Sequence, residues 1–139
     1  VGIDGLMGAG PTALRGGVGG RIHQSSGKIL LQDAEGAGPT IHQRIQIGLA
    51  LVPEDRQRDG LVQTMSVGEN LSLASISEFV RGLALSPRRE KQLVADSIRH
   101  VTVKTAGGEA AIGSLSGGNP QKAAIGKMLA TRPKVILLD

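Results

Sequence analysis

The sequence lacks several residue types, and each absence limits what the protein can be. None of its 139 residues is cysteine, which excludes a disulfide framework and a thiolate metal site. It has one phenylalanine and no tyrosine or tryptophan. The hydrophobic core must therefore be aliphatic, and the aromatic side chains on which unpaired bases stack are missing. We expect no nucleic-acid partner.

Long apolar segments are lacking as well. No run approaches the roughly 20 apolar residues that span a bilayer. The chain does not open with a basic segment followed by an apolar one, the pattern of a secretory signal. We therefore expect any membrane role to be peripheral, without insertion.

Positive charge and glycine are what the sequence does have. The net charge of +4 fits either an ordinary solvated basic face or a ligand that carries phosphate. Glycine occurs 21 times, so chance matches to glycine-rich motifs are common in this chain. A glycine-rich motif alone is therefore weak evidence here.

The order of the predicted elements indicates an α/β core interrupted by helices. A strand that ends at Asp4 leads into a glycine-rich turn. Short apolar runs predict further strands at 28–32, 49–52 and 135–138. The strand at 49–52 is expected to be buried on both faces. The strand at 135–138 is expected to be an interior parallel strand, beside residues 49–52 or beside the strand that ends at Asp4. We predict a core made of residues 1–58 and 115–139, with a helical subdomain over residues 59–114.

Local signals predict where several helices begin and end. Residues 40–47 predict a short helix closed by Gly48. Ser66 and Glu69 have the spacing of a capping box, and the Ser-Pro pair at 86–87 predicts another helix start. Four glycines within residues 16–20 make that segment a poor helix, so we expect the helix after the glycine-rich turn to be broken there.

The last predicted helix precedes the last strand. Asn119 is expected to be its N-cap, because a proline follows at the first helical position. Ile125, Met128 and Leu129 form an apolar stripe that we expect to face the core. Pro133 ends the helix.

The glycine-rich turn at residues 5–12, GLMGAGPT, has the frame of a P-loop, G-x-x-x-x-G-K-[ST]. In that motif glycines let backbone N–H groups surround a phosphate, a lysine neutralises its oxygens, and a hydroxyl such as that of Thr12 holds Mg²⁺. Here Pro11 occupies the lysine position, which removes a cation and one N–H donor. On these residues alone an ordinary structural turn is the preferred interpretation, and the P-loop is the alternative.

Residues 115–122, LSGGNPQK, carry the strongest signal. Two glycines after a serine stand at a helix N-terminus, where free N–H groups and the helix dipole favour an anion such as phosphate. An ordinary helix cap is the alternative.

A third element is the apolar strand at 135–138, which is followed by Asp139. Its carboxylate, at the end of a strand, could bind Mg²⁺; alternatively, Asp139 simply begins a loop.

Together these segments resemble a known family. Residues 115–139 are similar to the signature-to-Walker B block of ABC cassettes, and LSGGNPQK at 115–122 is similar to the LSGGNQQK of importers for ribose, xylose, galactose and arabinose. Those importers carry two cassettes in one polypeptide. Residues 5–10 (GLMGAG), 51–56 (LVPEDR) and 65–73 (MSVGENLSL) resemble the GLVGAG, LVPEDR and MSVRENLSL of the second cassette.

The resemblance implies a fold and a function. The fold is a P-loop NTPase-like α/β core with a mostly parallel sheet and an inserted helical subdomain, incomplete because the chain stops at Asp139. The function is that of an ATPase that couples ATP binding and hydrolysis, with Mg²⁺, to uptake of a monosaccharide. The implied partners are a second nucleotide-binding cassette on the same polypeptide and membrane permease subunits. The implied location is the cytoplasmic face of the cell membrane.

The resemblance also implies the site residues. In the family each ATP lies between the P-loop of one cassette and the LSGG segment of the other. On this sequence, the residues expected to bind Mg²⁺ are Thr12 and Asp139. The residues expected to bind the nucleotide are Gly5, Gly8, Ala9, Gly10, Thr12, Glu54, Ser116, Gly117, Gly118, Asn119 and Gln121.

Several departures from the family pattern affect the expected activity. Pro11 replaces the P-loop lysine, and Glu54 stands where many cassettes have a glutamine. The glutamate that usually follows Asp139 and the aromatic residue that usually precedes Val1 are not in this sequence, so we expect no intact catalytic residue and no ATP hydrolysis by this chain alone. Two alternatives stay open: a degenerate cassette acting as a scaffold, and an ABC ATPase outside transport.

Overall fold

The computed structural model describes residues 11–22, 29–31, 34–35, 40–81 and 84–139. The chain forms two compact units, Val1–Leu51 with Pro133–Asp139, and Val52–Arg132. In chain order the elements are α1 (Pro11–Gly19), β1 (Leu30–Leu31), β2 (Ala34–Glu35), α2 (Ile41–Ile47), β3 (Leu49–Val52), a π-helical turn (Arg56–Gly60), α3 (Val67–Leu73), a 3₁₀ turn (Ile76–Phe79), β4 (Val80–Arg81), β5 (Ala84–Leu85), α4 (Pro87–His100), a second 3₁₀ turn (Ile112–Ser114), α5 (Asn119–Leu129) and β6 (Val135–Leu138).

The prediction that residues 16–20 would break the helix α1 is wrong, because helical structure continues through Gly19. Tertiary packing overrides the low helix propensity of glycine: a Cβ at Gly19 would lie 2.6 Å from Leu51 Cδ2, so only glycine lets α1 approach β3 this closely. Gly20 follows the last helical residue, and its φ of +82° suits glycine. Arg44, only 2% exposed, donates through its guanidinium to the carbonyls of Gly17 and Val18 and so caps this end of α1.

The short helix α2 begins and ends where the sequence predicts. Thr40 is its N-cap in a complete capping box with Gln43, and Gly48 ends it in the left-handed region at φ 96°. β3 follows at once, with Leu49, Ala50 and Val52 buried. This confirms that the apolar run is a buried strand.

The strands β3 and β6 are hydrogen-bonded neighbours. The N–H groups of Lys134 and Val135 both donate to Gly48 O, so the two strands start side by side and run parallel. The predicted position of the last strand beside β3 is thus confirmed. Val135 is 38% and Leu138 58% exposed, and in the described part of the chain only β3 pairs with β6, so its predicted interior place in the sheet stays a prediction.

The short strand predicted at 28–32 is found at Leu30–Leu31, where β1 pairs antiparallel with β2. The strand expected to end at Asp4 and the glycine-rich turn lie outside the described residues, apart from Pro11 and Thr12 in α1.

The second unit is built around three helices that pack on one another: α3, α4 and α5. Ser66 and Glu69 form the predicted capping box at the start of α3, and α4 begins with Pro87 at its N-terminus as predicted. The core is aliphatic around Val67, Leu71 and Ile112, and the one aromatic side chain, Phe79, is buried too.

The helix α5 buries a different face from the predicted one. Ala123, Ala124 and Gly126 are its buried residues, while Leu129 of the predicted stripe is 43% exposed. The reason is close helix packing: a Cβ at Gly126 would lie 2.9 Å from Leu71 Cδ2. Small side chains therefore form the contact face of α5, and the larger apolar ones lie beside it.

The division into units also differs from the predicted domain boundaries. The prediction grouped residues 115–139 with the core, whereas α5 packs with α3 and α4, and only Pro133–Asp139 join the first unit. No helix in the described part of the chain is long and apolar enough to cross a bilayer.

Candidate functional site

The segment before α5, residues 116–118, is called the signature loop below, and it is open to solvent. Ser116, Gly117 and Gly118 are all exposed. Gly117 has φ +60°, and a Cβ at either glycine would meet nothing within 4 Å. Within the described ranges, no protein acceptor takes a hydrogen bond from the N–H groups of the two glycines. Both donors are therefore available to an external anion.

The charge near the loop suits an anion. Helix α5 has eleven residues, with the positive end of its dipole beside the loop, and its first turn contains no acidic residue. Lys122 lies within that first turn, and Gln121 is exposed there. The arrangement can hold a phosphate group through backbone donors without repulsion from a carboxylate of the same turn.

Asn119 fixes the loop through its side chain. Its Oδ1 accepts from the backbone N–H of Lys104 at 2.9 Å, and its Nδ2 donates to Ser116 O at 2.9 Å. The expectation that Asn119 is the N-cap is wrong by one residue: Gly118 holds that position without a side-chain cap, and Asn119 begins the helix. The Asn119 amide therefore bonds to Lys104 and Ser116 and does not cap its own helix.

A second anchor joins the start of α5 to the segment after α4. Lys122 Nζ donates to Thr102 O at 3.0 Å and to Thr102 Oγ1 at 3.1 Å. Thr102 adopts a positive φ of 51°. Sequence reasoning missed both Thr102 and Lys104, because Lys104 and in part Thr102 contribute backbone atoms, which no residue pattern reveals.

The predicted site residue Glu54 is exposed, in the segment between β3 and the π-helical turn. The next residue, Asp55, caps that turn by accepting from Arg58 N at 3.0 Å. Glu54 and the signature loop belong to the same unit. No hydrogen bond or ion pair in the described part of the chain joins Glu54 to the loop, so its place in the site stays a prediction.

The remaining predicted residues belong to the first unit. Thr12 is the second residue of α1, which Pro11 begins; proline is compatible with that position because the first N–H of a helix has no partner within it. Asp139 follows β6 and is half-buried, and α1 packs against β6. Gly5, Gly8, Ala9 and Gly10 lie outside the described residues.

The predicted Mg²⁺ ligands therefore remain predictions. In the ranges that the structure covers, no group of three or more histidine, aspartate or glutamate side chains could hold a metal ion. A site made of Thr12 and Asp139 would supply two oxygen ligands, and phosphate oxygens and waters would have to complete the coordination of Mg²⁺.

Comparison with known proteins identifies the family. The whole chain, residues 1–139, matches the family described as ABC transporter. It is 40% identical over 140 residues to the xylose import ATP-binding protein XylG of Photobacterium profundum, covering 100% of this chain and 28% of that protein. It is 43% identical over 146 residues to XylG of Ralstonia nicotianae, covering 100% of this chain and 27% of that protein. The chain thus spans less than a third of these relatives.

Solved structures share the fold. The post-hydrolysis dimer of the ATP-binding cassette MJ0796 bound to ADP and Pi has a TM-score of 0.78 at 20% identity, over 96% of this chain and 56% of that one. CbiO1 from Clostridium perfringens, part of the cbiONQ transporter complex, has a TM-score of 0.71 at 21% identity, over 99% of this chain and 51% of that one. The predicted α/β cassette fold is confirmed.

Proposed function

The chain belongs to the ABC transporter family, and on that premise we propose that it is part of an ATPase that drives import of a monosaccharide. Xylose is the sugar we propose, because both relatives above are named as xylose import ATP-binding proteins. The proposed protein acts at the cytoplasmic face of the membrane with permease subunits and a second cassette on the same polypeptide.

One observation carries the proposal: the signature loop offers two unpaired backbone N–H groups at the start of α5. They fit a terminal phosphate because neither glycine has a side chain that would fill the space. ATP supplies a γ-phosphate that is present before hydrolysis and absent after it. The loop would hold the ATP that the P-loop of the partner cassette binds.

The chain's own P-loop has a different role in this proposal. Pro11 removes the cation that normally neutralises the β and γ oxygens. Thr12 and Asp139 would hold Mg²⁺ there, with nucleotide contacts from Gly5, Gly8, Ala9 and Gly10. We propose that this site turns over slowly, while the signature loop serves the faster one.

A second candidate function is a cassette that acts as a scaffold and binds little nucleotide. Pro11 favours it, as does the exposed carboxylate of Glu54, which would repel a γ-phosphate unless Mg²⁺ or a basic group intervened. The signature loop distinguishes the two candidates, since a scaffold has no need of free N–H donors there.

The test uses the full-length polypeptide that contains these residues, reconstituted with its permease and sugar-binding protein in vesicles. ATP-dependent xylose uptake and ATPase activity are measured for the wild type and for Ser116→Arg. The arginine fills the open loop and removes the hydroxyl, and loss of one preorganised donor typically costs about 100- to 1,000-fold in rate.

The matched control is Thr64→Arg, which adds the same cation at an exposed hydroxyl residue in a turn outside the site. The control should keep both activities. A wild type without ATPase activity would support the scaffold, and ATPase activity without xylose uptake would reject the proposed sugar. Full activity in Ser116→Arg would reject the role of the loop.

A further inference from the structure

A half-buried lysine on α5 reaches the segment that follows Glu54. Lys127 Nζ donates to the backbone carbonyl of Gly60 at 3.1 Å, and the two residues are 67 positions apart in sequence. Gly60 is buried. This hydrogen bond joins two elements that are distant along the chain but belong to the same unit.

Gly60 is the last residue of the π-helical turn Arg56–Gly60. Such turns are rare and occur often at functional sites. Asp55 fixes the start of the turn through Arg58 N, and Lys127 fixes its end by donating to the carbonyl of the buried Gly60. Both ends of the turn that follows Glu54 are therefore held.

The opposite end of α5 carries the signature loop. Lys127 stands eight positions after Asn119 on one continuous helix, so a shift of the loop along the helix axis also moves Lys127. Ala124, one turn before Lys127, faces the same turn: a Cβ at Gly60 would lie 3.5 Å from Ala124 Cβ. The helix and the π-helical turn are thus in direct contact.

We propose that Lys127 is a positioning residue that fixes the turn after Glu54 to the helix bearing the signature loop, so that the two segments move together. This inference rests on the proposed function, because it assigns Lys127 a part in ATP turnover. Lys127 need not touch nucleotide; it acts through Gly60 on the position of Glu54.

The burial of Lys127 supports a specific role for its charge. Burial lowers the pKa of Lys127 below its ordinary value of 10.5, so the environment disfavours the ammonium. An unbranched apolar side chain such as methionine would fill the same space without that penalty. What methionine cannot do is donate to the Gly60 carbonyl.

The test is a double-mutant cycle in the full-length protein reconstituted with its permease. Lys127→Met, Glu54→Gln and the double variant are compared with wild type for kcat and KM of ATP hydrolysis, and thermal unfolding confirms the fold of each. We expect Lys127→Met to lower kcat about 10-fold with little change in KM for ATP, since misplacement far from the chemistry acts on turnover. The effects of Lys127→Met and Glu54→Gln should not add, because both act through one segment.

Two further variants sharpen the cycle. Lys127→Arg keeps a donor and should restore most of kcat. Lys127→Leu, which also lacks the donor, replaces Lys127→Met in the cycle if that variant does not fold. Lys122→Met is the matched control: it removes a lysine from the same helix whose partner is Thr102, so its effect should add to that of Glu54→Gln.

The outcomes separate the two claims. A wild type that hydrolyses no ATP overturns the proposed function and this inference with it. A wild type that turns over, with additive effects of Lys127→Met and Glu54→Gln, overturns the inference alone. Non-additive effects restricted to Lys127, with rescue by arginine, support it.

Discussion

The backbone N–H of Lys104 donates to Asn119 Oδ1 at 2.9 Å, across 15 positions of sequence. The same amide group donates to Ser116 O through its nitrogen. One side chain thus joins the segment after α4, the signature loop and the start of α5. The open loop keeps its shape through this bridge, since its own glycines impose almost no conformational limit.

Replacing this amide should separate its structural role from its electrostatic one. Asn119→Ala loses both hydrogen bonds and should lower the free energy of unfolding by about 1–2 kcal/mol. Asn119→Asp keeps the acceptor for Lys104 and places a carboxylate at a helix N-terminus, so it should lose less than about 1 kcal/mol. Urea denaturation of the full-length protein measures both.

The ATPase activity of the same variants should follow a different order. The carboxylate of Asn119→Asp repels a phosphate at the loop, so this more stable variant should be at least as inactive as Asn119→Ala. An aspartate variant with full ATPase activity would argue against an anion site at the signature loop.

Two glycines of α1 should respond in opposite directions to the same substitution. In Gly19→Ala the new Cβ would lie 2.6 Å from Leu51 Cδ2 and 2.9 Å from Leu51 Cβ, and overpacking of this kind costs about 1–3 kcal/mol. A Cβ at Gly17 would meet nothing within 4 Å. Gly17→Ala should therefore stabilise the protein by about 0.5–1 kcal/mol through its helix propensity. Thermal unfolding under identical conditions checks the pair, and equal shifts of both variants would contradict the packing of α1 on β3.

These glycines also show where reading the sequence succeeds and where it fails. The capping boxes at Thr40 and Ser66 depend on residues three apart, so their letters alone predict them. Continuation of α1 through Gly19 depends on Leu51, which is distant in sequence, and local propensity gives the wrong answer there. The prediction of the buried face of α5 is wrong for the same reason. Gly126 is buried because α5 packs closely on Leu71, and the periodicity of α5 alone carries no information about that contact.

The candidate site also has a part that the sequence predicts and a part that it does not. The motif at residues 115–122 identifies the signature loop because its glycines and helix start are local features. Its anchors could not be predicted, since Lys104 and in part Thr102 take part through backbone atoms that every residue possesses. Lys127 belongs to neither the motif nor the apolar stripe, and only the fold gives it a partner.

The capping box of α3 should contribute to the dependence of stability on pH. Hydrogen bonds from Ser66 lower the pKa of Glu69 below its ordinary value of 4.5, the backbone N–H having the larger effect and the side chain the smaller one. A carboxyl whose pKa is lowered by folding stabilises the protein above its ordinary pKa, and this contribution is lost as pH falls through the folded value. Glu69→Gln keeps an acceptor for the Ser66 N–H and cannot titrate.

The wild type should therefore lose more stability than Glu69→Gln when pH falls from about 6 to about 3. Part of the loss should remain in the variant, because hydrogen bonds from Gln92 and Arg99 also lower the pKa of Asp96. Urea midpoints measured across this range test the difference. Parallel curves for the two proteins would mean that Glu69 is not ionised within a capping box.

Substitutions of Pro11 should show whether the P-loop only lacks its cation or has no nucleotide site at all. Pro11 begins α1, where a missing N–H leaves no helical acceptor unpaired, so the helix tolerates other residues at this point. Pro11→Ala restores one N–H donor and adds no charge. Pro11→Lys restores the donor and adds the ammonium that a P-loop uses against phosphate oxygens.

In the full-length protein, Pro11→Ala should leave steady-state ATPase activity nearly unchanged, because the altered site already lacks its cation. Pro11→Lys should tighten Mg-ATP binding at that site by about 10-fold or more, since a hydrogen bond to a charged group contributes roughly 1.5–3 kcal/mol. Calorimetric titration with Mg-ATP resolves this as a stronger binding phase that Pro11→Ala does not have. Loss of turnover in Pro11→Ala would instead make this P-loop the active one. In that case Ser116→Arg should be the milder change, and the roles assigned to the two sites would be reversed.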